Sequence, residues 1–304
     1  MAVDAMSSDQ SLAISPSFGR LARYWRAYGY ASAYAPSLDH PCPKDDGLWA
    51  IDVQADRKEL ILSIFDVASK ETDQVPAGSH FLTHPHFNKS GTRVAFLHRF
   101  FSADGGLFSR LFVCRPNGNE LELLASEKVS HFDWVDDDTL VVWARFMPEG
   151  IGRLRASGVL NRPILKQLVQ VVRMFRGSLK NSILSEHYYR IPVENPTQRE
   201  TIASNVLTAD GHPMLHPSRP IMVSDTYPDE NGVLHLFLYD FLKDTRVDIG
   251  DFNDGVTAGD SDLKCDLHPR WDRAGERIAV DICEKGIRRL AVVDARSALA
   301  LLTG

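Results

Sequence analysis

Short runs of β-forming residues recur along the chain in pairs, and four of these pairs open on a histidine. Three segments superpose without gaps: His84-Pro-His-Phe-Asn-Lys-Ser-Gly-Thr-Arg-Val-Ala-Phe, His212-Pro-Met-Leu-His-Pro-Ser-Arg-Pro-Ile-Met-Val-Ser and His268-Pro-Arg-Trp-Asp-Arg-Ala-Gly-Glu-Arg-Ile-Ala-Val. His131-Phe-Asp-Trp-Val-Asp-Asp-Asp-Thr-Leu-Val-Val-Trp fits the same frame. Three positions after each His stands a large apolar residue: Phe87, Trp134, Leu215 or Trp271. A polar turn and a second apolar run follow, at 94–97, 140–143, 221–223 and 278–280. The turns at 88–91 (Asn-Lys-Ser-Gly) and 272–275 (Asp-Arg-Ala-Gly) have the composition of hairpin loops, so each segment predicts a front hairpin. A back hairpin recurs as well. Leu48 to Asp52 leads to Glu59, Leu111 to Arg115 leads through Asn117-Gly118 to Glu120, Leu236 to Asp240 leads to Arg246, and Leu290 to Asp294 leads to the C-terminus.

A front plus a back hairpin, repeated at roughly 45 to 55 residues, is the pattern of a β-propeller blade. The predicted fold is therefore all-β, a single propeller domain over 1–304 with five recognisable blades. Their expected limits are 1–66, 80–126, 127–205, 206–250 and 262–304. No strand–helix alternation points to an α/β fold. In the first unit Val3 occupies the place that His holds in the other four, so Met1 falls near the start of its innermost strand. The third unit is stretched by an insert at 150–185 with seven Lys or Arg (Arg153, Arg155, Arg162, Lys166, Arg173, Arg176, Lys180) and no acid. Ile164, Leu168, Val171, Val172 and Phe175 follow Pro163 at helical spacing, while the valines leave a strand open. The insert reads either as an amphipathic element covering an outer strand or as a docking surface for an anionic polymer or membrane headgroups.

Composition narrows the function classes. With 34 Lys plus Arg against 40 Asp plus Glu, the formal charge of −6 excludes a globally basic nucleic-acid binder. No apolar run approaches the roughly 18 residues of a membrane span. MAVDAMSSDQ lacks the regions of a signal peptide. Four scattered cysteines (Cys42, Cys114, Cys265, Cys283) without a CxxC pair read as free thiols of a cytoplasmic protein. GxSxG, HExxH, GxGxxG and P-loop motifs are all lacking.

The candidate chemistry lies in the repeated histidine. His makes up 11 of 304 residues, so four at one repeat position stand out from chance. In a propeller the innermost strands line a central channel, so His84, His131, His212 and His268 are expected at one height of it. Such a set suits a transition metal, or a metal plus a base that titrates near neutrality. The alternative is that these side chains hydrogen-bond backbone between blades. Asp225 and Tyr227, after the third histidine strand, and Arg270, two residues after His268, can orient ligands or a sugar. Arg20, Arg23, Arg26 and Tyr30 can clamp a carboxylate or simply face solvent. His80, His86, His98 and His216 fall off the repeat position and are expected outside the site.

With these residues in hand, the chain resembles the oligogalacturonate lyase family and its TolB-like (WD40-like) propeller relatives. The resemblance is carried by HPHFNKSGTRVAFLHR (84–99), SHFDWVDDDTLVVWAR (130–145), GHPMLHPSRPIMVSDTYPD (211–229) and CDLHPRWDRAGERIAVD (265–281). It implies a seven-bladed, cytoplasmic, manganese-dependent lyase that cleaves uronate oligomers, as in pectin degradation, by β-elimination. By position, His131 matches the family's base and His212 its first metal ligand. His268 matches the last His of a Gln-x-x-His-x-His cluster, whose other positions are Leu263 and Asp266 here. Asp266 remains a carboxylate suited to Mn²⁺, whereas Leu263 cannot ligate. His84 becomes an extra ligand or substrate contact and Arg270 a carboxylate partner. Asp225, Tyr227 and Arg23 become substrate contacts. The implied partner is an acidic oligosaccharide or polysaccharide. The lost Gln and His leave a second reading, a non-catalytic propeller binding a carbohydrate or protein partner. Seven blades of about 45 residues would need close to 315, so the five units read as a ring missing N-terminal blades or as five-bladed closure. An open ring would pair through its free blade faces as a homo-oligomer.

Overall fold

Alternation and turn chemistry produce the strands where the repeat places them. A computed structural model describes residues 2–72, 74–101, 105–126, 128–146, 186–253 and 265–303; the basic insert at 150–185 and Leu263 lie outside the described residues. The chain forms two compact units, Met1–Val129 with Ala144–Glu186, and Ser130–Trp143 with His187–Gly304.

The first unit holds two four-stranded antiparallel sheets. One runs β1 (Ala5–Met6), β2 (Leu12–Ser15), β3 (Gly47–Asp52), β4 (Arg57–Ser63), and the other β5 (Ser79–Phe87), β6 (Val94–Phe101), β7 (Leu107–Cys114), β8 (Glu122–Ala125). Ile14, Leu48, Leu82, Val94, Phe96 and Phe112 form their core, closed by Ile64, Val67 and Ala68 of a short helix, α2 (Ile64–Ser69). Another helix, α1 (Phe18–Tyr24), precedes it. The Asn117-Gly118 turn joins β7 to β8 as expected. Gly118 has a φ of +83°, and a Cβ there would lie 2.1 Å from the Ile61 carbonyl oxygen, so the turn requires glycine.

A buried polar chain crosses this unit. Arg110 is 6% exposed and donates to the carbonyls of Val67, Ala68 and Lys70 at the end of α2. Its Nε also donates to His98 Nδ1 (3.1 Å). A guanidinium can only donate, so the remaining directions are fixed. His98 Nε2–H donates to His80 Nδ1 (2.9 Å), and His80 Nε2–H donates to the Pro76 carbonyl (2.8 Å). Both imidazoles are thus neutral, and burial pushes His80 down to about 4 and His98 well below its ordinary value. Arg20, also buried, donates to the carbonyls of His80, His40 and Pro41 at 2.7, 2.7 and 3.0 Å. It braces backbone rather than clamping a carboxylate or facing solvent.

The second unit contains the rest. One sheet has the strand order β12 (Glu200–Ile202), β11 (His187–Pro192), β10 (Thr139–Arg145), β9 (Lys128–Trp134). Next come β13 (Met214–Leu215), β14 (Ile221–Ser224), β15 (Val233–Asp240) and β16 (Thr245–Asn253), then a three-stranded sheet of β17 (Arg270–Trp271), β18 (Arg277–Glu284) and β19 (Ile287–Asp294). After β19 the chain turns into a helix, α3 (Arg296–Thr303), as its Ala- and Leu-rich sequence favours. Leu299 and Leu302 of α3 join the core of Val223, Leu236, Ile278 and Val280.

Successive sheets of this unit are joined by the repeat itself. Two positions after His, Asp133 accepts from the Leu215 amide (2.6 Å), and Met214 S accepts from the Trp271 amide (3.2 Å). His216, off the repeat position, takes its own turn's amides on Nδ1 and donates Nε2–H to the Gly275 carbonyl (3.0 Å). Hydrogen bonding to backbone of the next sheet, the alternative considered for the repeated histidines, thus falls to His216. Five antiparallel blade sheets with few helices make this an all-β propeller fold. Among the described residues no helix is long and apolar enough to cross a membrane.

Candidate active site

The site is built where the leading strands of three sheets begin. His131 lies on β9, His212 two residues before β13 and His268 two residues before β17. Their rings touch in series, with centroids 4.3 Å apart for His131 and His212 and 3.9 Å apart for His212 and His268. Tyr227 adds its ring at 5.7 Å from His212 and 6.1 Å from His131.

Each imidazole has its Nδ1 committed to an oxygen acceptor. His131 Nδ1 donates to Asp210 Oδ1 (3.0 Å), and His268 Nδ1 donates to the Asp266 carbonyl (3.1 Å). His212 Nδ1 donates to both carboxylate oxygens of Asp225, at 2.9 and 3.0 Å. Asp225 is fully buried and also accepts from the His212 and His268 amides, at 2.6 and 3.2 Å. It therefore fixes two of the three histidines. Burial alone would raise its carboxyl, but the hydrogen bonds and charge of His212, with the charge of His268, outweigh that and hold it below its ordinary value. Burial, the neighbouring His212 and Arg270 push the His268 imidazole down, against the Asp266 carbonyl and Asp225.

Gly211 permits this arrangement. A Cβ at that position would lie 1.8 Å from the Asp225 carbonyl oxygen, so only glycine lets the Asp210-Gly211-His212 segment run against the end of β14. Asp210 also accepts from the Gly211 amide (2.9 Å), which aims its carboxylate at His131. Asp210 is not among the residues that the sequence points to. The only signal was its place two residues before a repeated His.

The other expected site residues fall as follows. Arg270 starts β17, donates Nη1 to the Pro269 carbonyl (2.9 Å) and lies close enough to His268 to depress it. Asp225 is a positioning group beneath two histidines rather than an exposed contact. His84 and Arg23 belong to the first unit. His84 sits in a bulge of β5 with a φ of +54°, its Nδ1 2.5 Å from Thr83 Oγ1 and its ring 5.6 Å from Tyr28. His268 shares that left-handed backbone, at +42°. For a residue before proline this is a strained state, of the kind that clusters at functional sites. Arg23 is exposed on α1, 3.8 Å from Asp39.

The donor set can be tested against a divalent metal. His212 Nε2 is buried without a hydrogen-bond partner while its Nδ1 is held by a carboxylate, the arrangement of a metal-ligating imidazole. His268 likewise has its Nδ1 held, by the Asp266 carbonyl. Two ligand positions thus fit. Among the described residues no group of three or more His, Cys, Asp or Glu side chains is arranged to hold a metal ion, so Asp266 does not complete a triad with them.

Comparison with known structures supports the fold. An oligogalacturonate lyase in complex with manganese superposes with a TM-score of 0.57 at 15% identity, over 95% of this chain and 64% of that one. The fold is a β-propeller similar to that of this lyase. The tricorn protease, with a TM-score of 0.50 and 9% identity, covers 97% of this propeller and 27% of its own chain. TolB from Acinetobacter baumannii matches at 0.49 and 12% identity, over 85% of this propeller and 48% of that chain. The propeller thus spans about two thirds of the lyase's length. No protein-family model matches the sequence, and no curated protein matches it.

Proposed function

We propose that the protein cleaves acidic oligosaccharides or polysaccharides by β-elimination at the cluster of His131, His212 and His268. One observation carries this reading: three imidazoles in ring contact, each with Nδ1 bound to an acceptor, so that Nε2 is the nitrogen left for chemistry. The proton removed lies α to a uronate carboxylate. His131 Nε2 takes it, and the Asp210 carboxylate on Nδ1 stabilises the imidazolium that forms. The electron pair becomes a new C=C bond as the glycosidic C–O bond on the adjacent carbon, β to the carboxylate, breaks, and the leaving oxygen is protonated from water. Negative charge builds on the uronate carboxylate during this step and needs a cation beside it. Arg270, next to His268, supplies one. A divalent metal, Mn²⁺ by the resemblance, would be held by His212 and His268 through Nε2 and would supply further neutralisation. Asp225 orients the His212 imidazole and holds the His268 backbone amide, and Tyr227 offers a ring against which a sugar can lie. A cytoplasmic location belongs to this reading too, and the four buried cysteines, none in a disulfide, support that.

The test is incubation with oligogalacturonate, with and without added Mn²⁺, while ultraviolet absorbance of unsaturated product is followed. Absorbance that rises with metal supports the reading. Folded protein that yields no unsaturated product from uronate oligomers overturns it. A second reading, a non-catalytic propeller that binds a carbohydrate, is favoured by the two-ligand rather than three-ligand geometry. It predicts a saccharide bound and recovered intact.

A further inference from the structure

The outermost strand of the last sheet is left open in a specific way. Four sheets have four strands, whereas this one stops at β19, which pairs only with β18 among the described residues. Along β19, Ala291 and Val293 face the core with Ile278 and Val280. By strand alternation Arg288, Leu290, Val292 and Asp294 line the opposite face. Leu290 is 71% exposed and Val292 62% exposed, large values for neighbouring aliphatic residues on one strand face. Natural edge strands are usually blunted by charge, because a free ladder of N–H and C=O groups recruits another strand.

Here the charges are arranged to match themselves. We propose that β19 is a dimerisation edge that pairs antiparallel with β19 of a second copy, about a two-fold axis through Ala291. In that register Leu290 lies opposite the partner's Val292, and Arg288 lies opposite the partner's Asp294. Every pair is repeated by the symmetry, as an isologous interface demands. The apolar pairs form one continuous stripe flanked at both ends by opposite charges, and directly opposed pairs of these two kinds stabilise antiparallel strands. The two three-stranded sheets become one of six strands, the same backbone pairing by which extended segments dock on free sheet edges. A one-residue slip would carry the apolar stripe to the wrong face, so the sequence specifies the register.

Sedimentation equilibrium of the full chain over a concentration series tests this, with hydrogen exchange at the β19 amides. The expected result is a monomer–dimer equilibrium in which β19 protection rises with the dimer. Arg288→Asp places two acids opposite each other, and Leu290→Lys breaks the stripe, so each should give a monomer with unchanged circular dichroism. Arg288→Asp combined with Asp294→Arg should restore the dimer. Asp294 also accepts from the Arg296 amide (3.0 Å) and pairs with its guanidinium at the start of α3, an ion pair that Arg288 of a second copy would share, so the two single variants carry the decision. A monomer at every concentration, with or without β19 amides protected by the chain itself, overturns the proposal. So does a dimer that survives both single substitutions.

Discussion

At the scale of single residues, carboxylates hold the imidazoles of the site. Asp225 touches the His212 side chain and the amides of His212 and His268, so it acts on both histidines at once. Asp225→Asn keeps the shape but offers His212 Nδ1 a neutral partner. Losing such an orienting group typically costs 10–100-fold in activity or metal affinity. A loss of about that size in product formation is expected, with circular dichroism unchanged, and an unchanged rate would count against the assigned role. The repeated histidines were legible in the sequence because repetition aligns them. Their carboxylate partners were not. Asp210 and Asp225 each occur once, on segments that only the folded backbone brings to the rings. Arg20 misled for a related reason: its spacing with Arg23 and Arg26 suggests a shared task, but it alone turns inward to the carbonyls of His40, Pro41 and His80.

At the scale of elements, the joints between sheets matter more than the strands. Gly275 has a φ of +69°, and a Cβ there would lie 2.2 Å from His216 Nε2, the atom that donates to its carbonyl. Gly275→Ala should therefore cost both the left-handed backbone penalty and the His216 bond, about 2–3 kcal/mol in urea unfolding. Gly286→Ala is the control: its φ is +77° with nothing within 4 Å, so only the backbone penalty of about 1–2 kcal/mol applies. Equal costs for the two would show that the His216 joint contributes nothing. Hairpins were legible from alternation and turn residues, Asn117-Gly118 among them. The short helices were not, because α2 is six residues set by a capping box of Ser63 and Asp66 and by core packing rather than by a long periodic pattern.

For the whole molecule, acid should weaken the fold through two buried histidines. His80 and His98 are neutral and fully buried, with values lowered to about 4 and well below normal. The unfolded chain takes up protons at these two sites below about pH 6.5, and the folded chain cannot, so stability falls as the pH drops from there. For His80 alone the loss on reaching pH 4 is on the order of 3 kcal/mol. Asp225 has a lowered value, so its contribution is present above about pH 3.8 and is lost only at lower pH. Thermal melting should therefore decline between pH 7 and pH 5, and a constant melting temperature there would contradict the neutral assignment. The five-sheet propeller was legible from the repeat, while this buried chain of Arg110, His98 and His80 has no sequence period to betray it. The central claim is that His131 removes a proton at the histidine cluster. Its most direct test is the rate of unsaturated-product absorbance from oligogalacturonate, wild type against His131→Ala, with Mn²⁺ present. Loss of a general base predicts a fall of about 10²–10⁴-fold in a folded variant, and a His131→Ala protein as fast as the wild type would contradict the account.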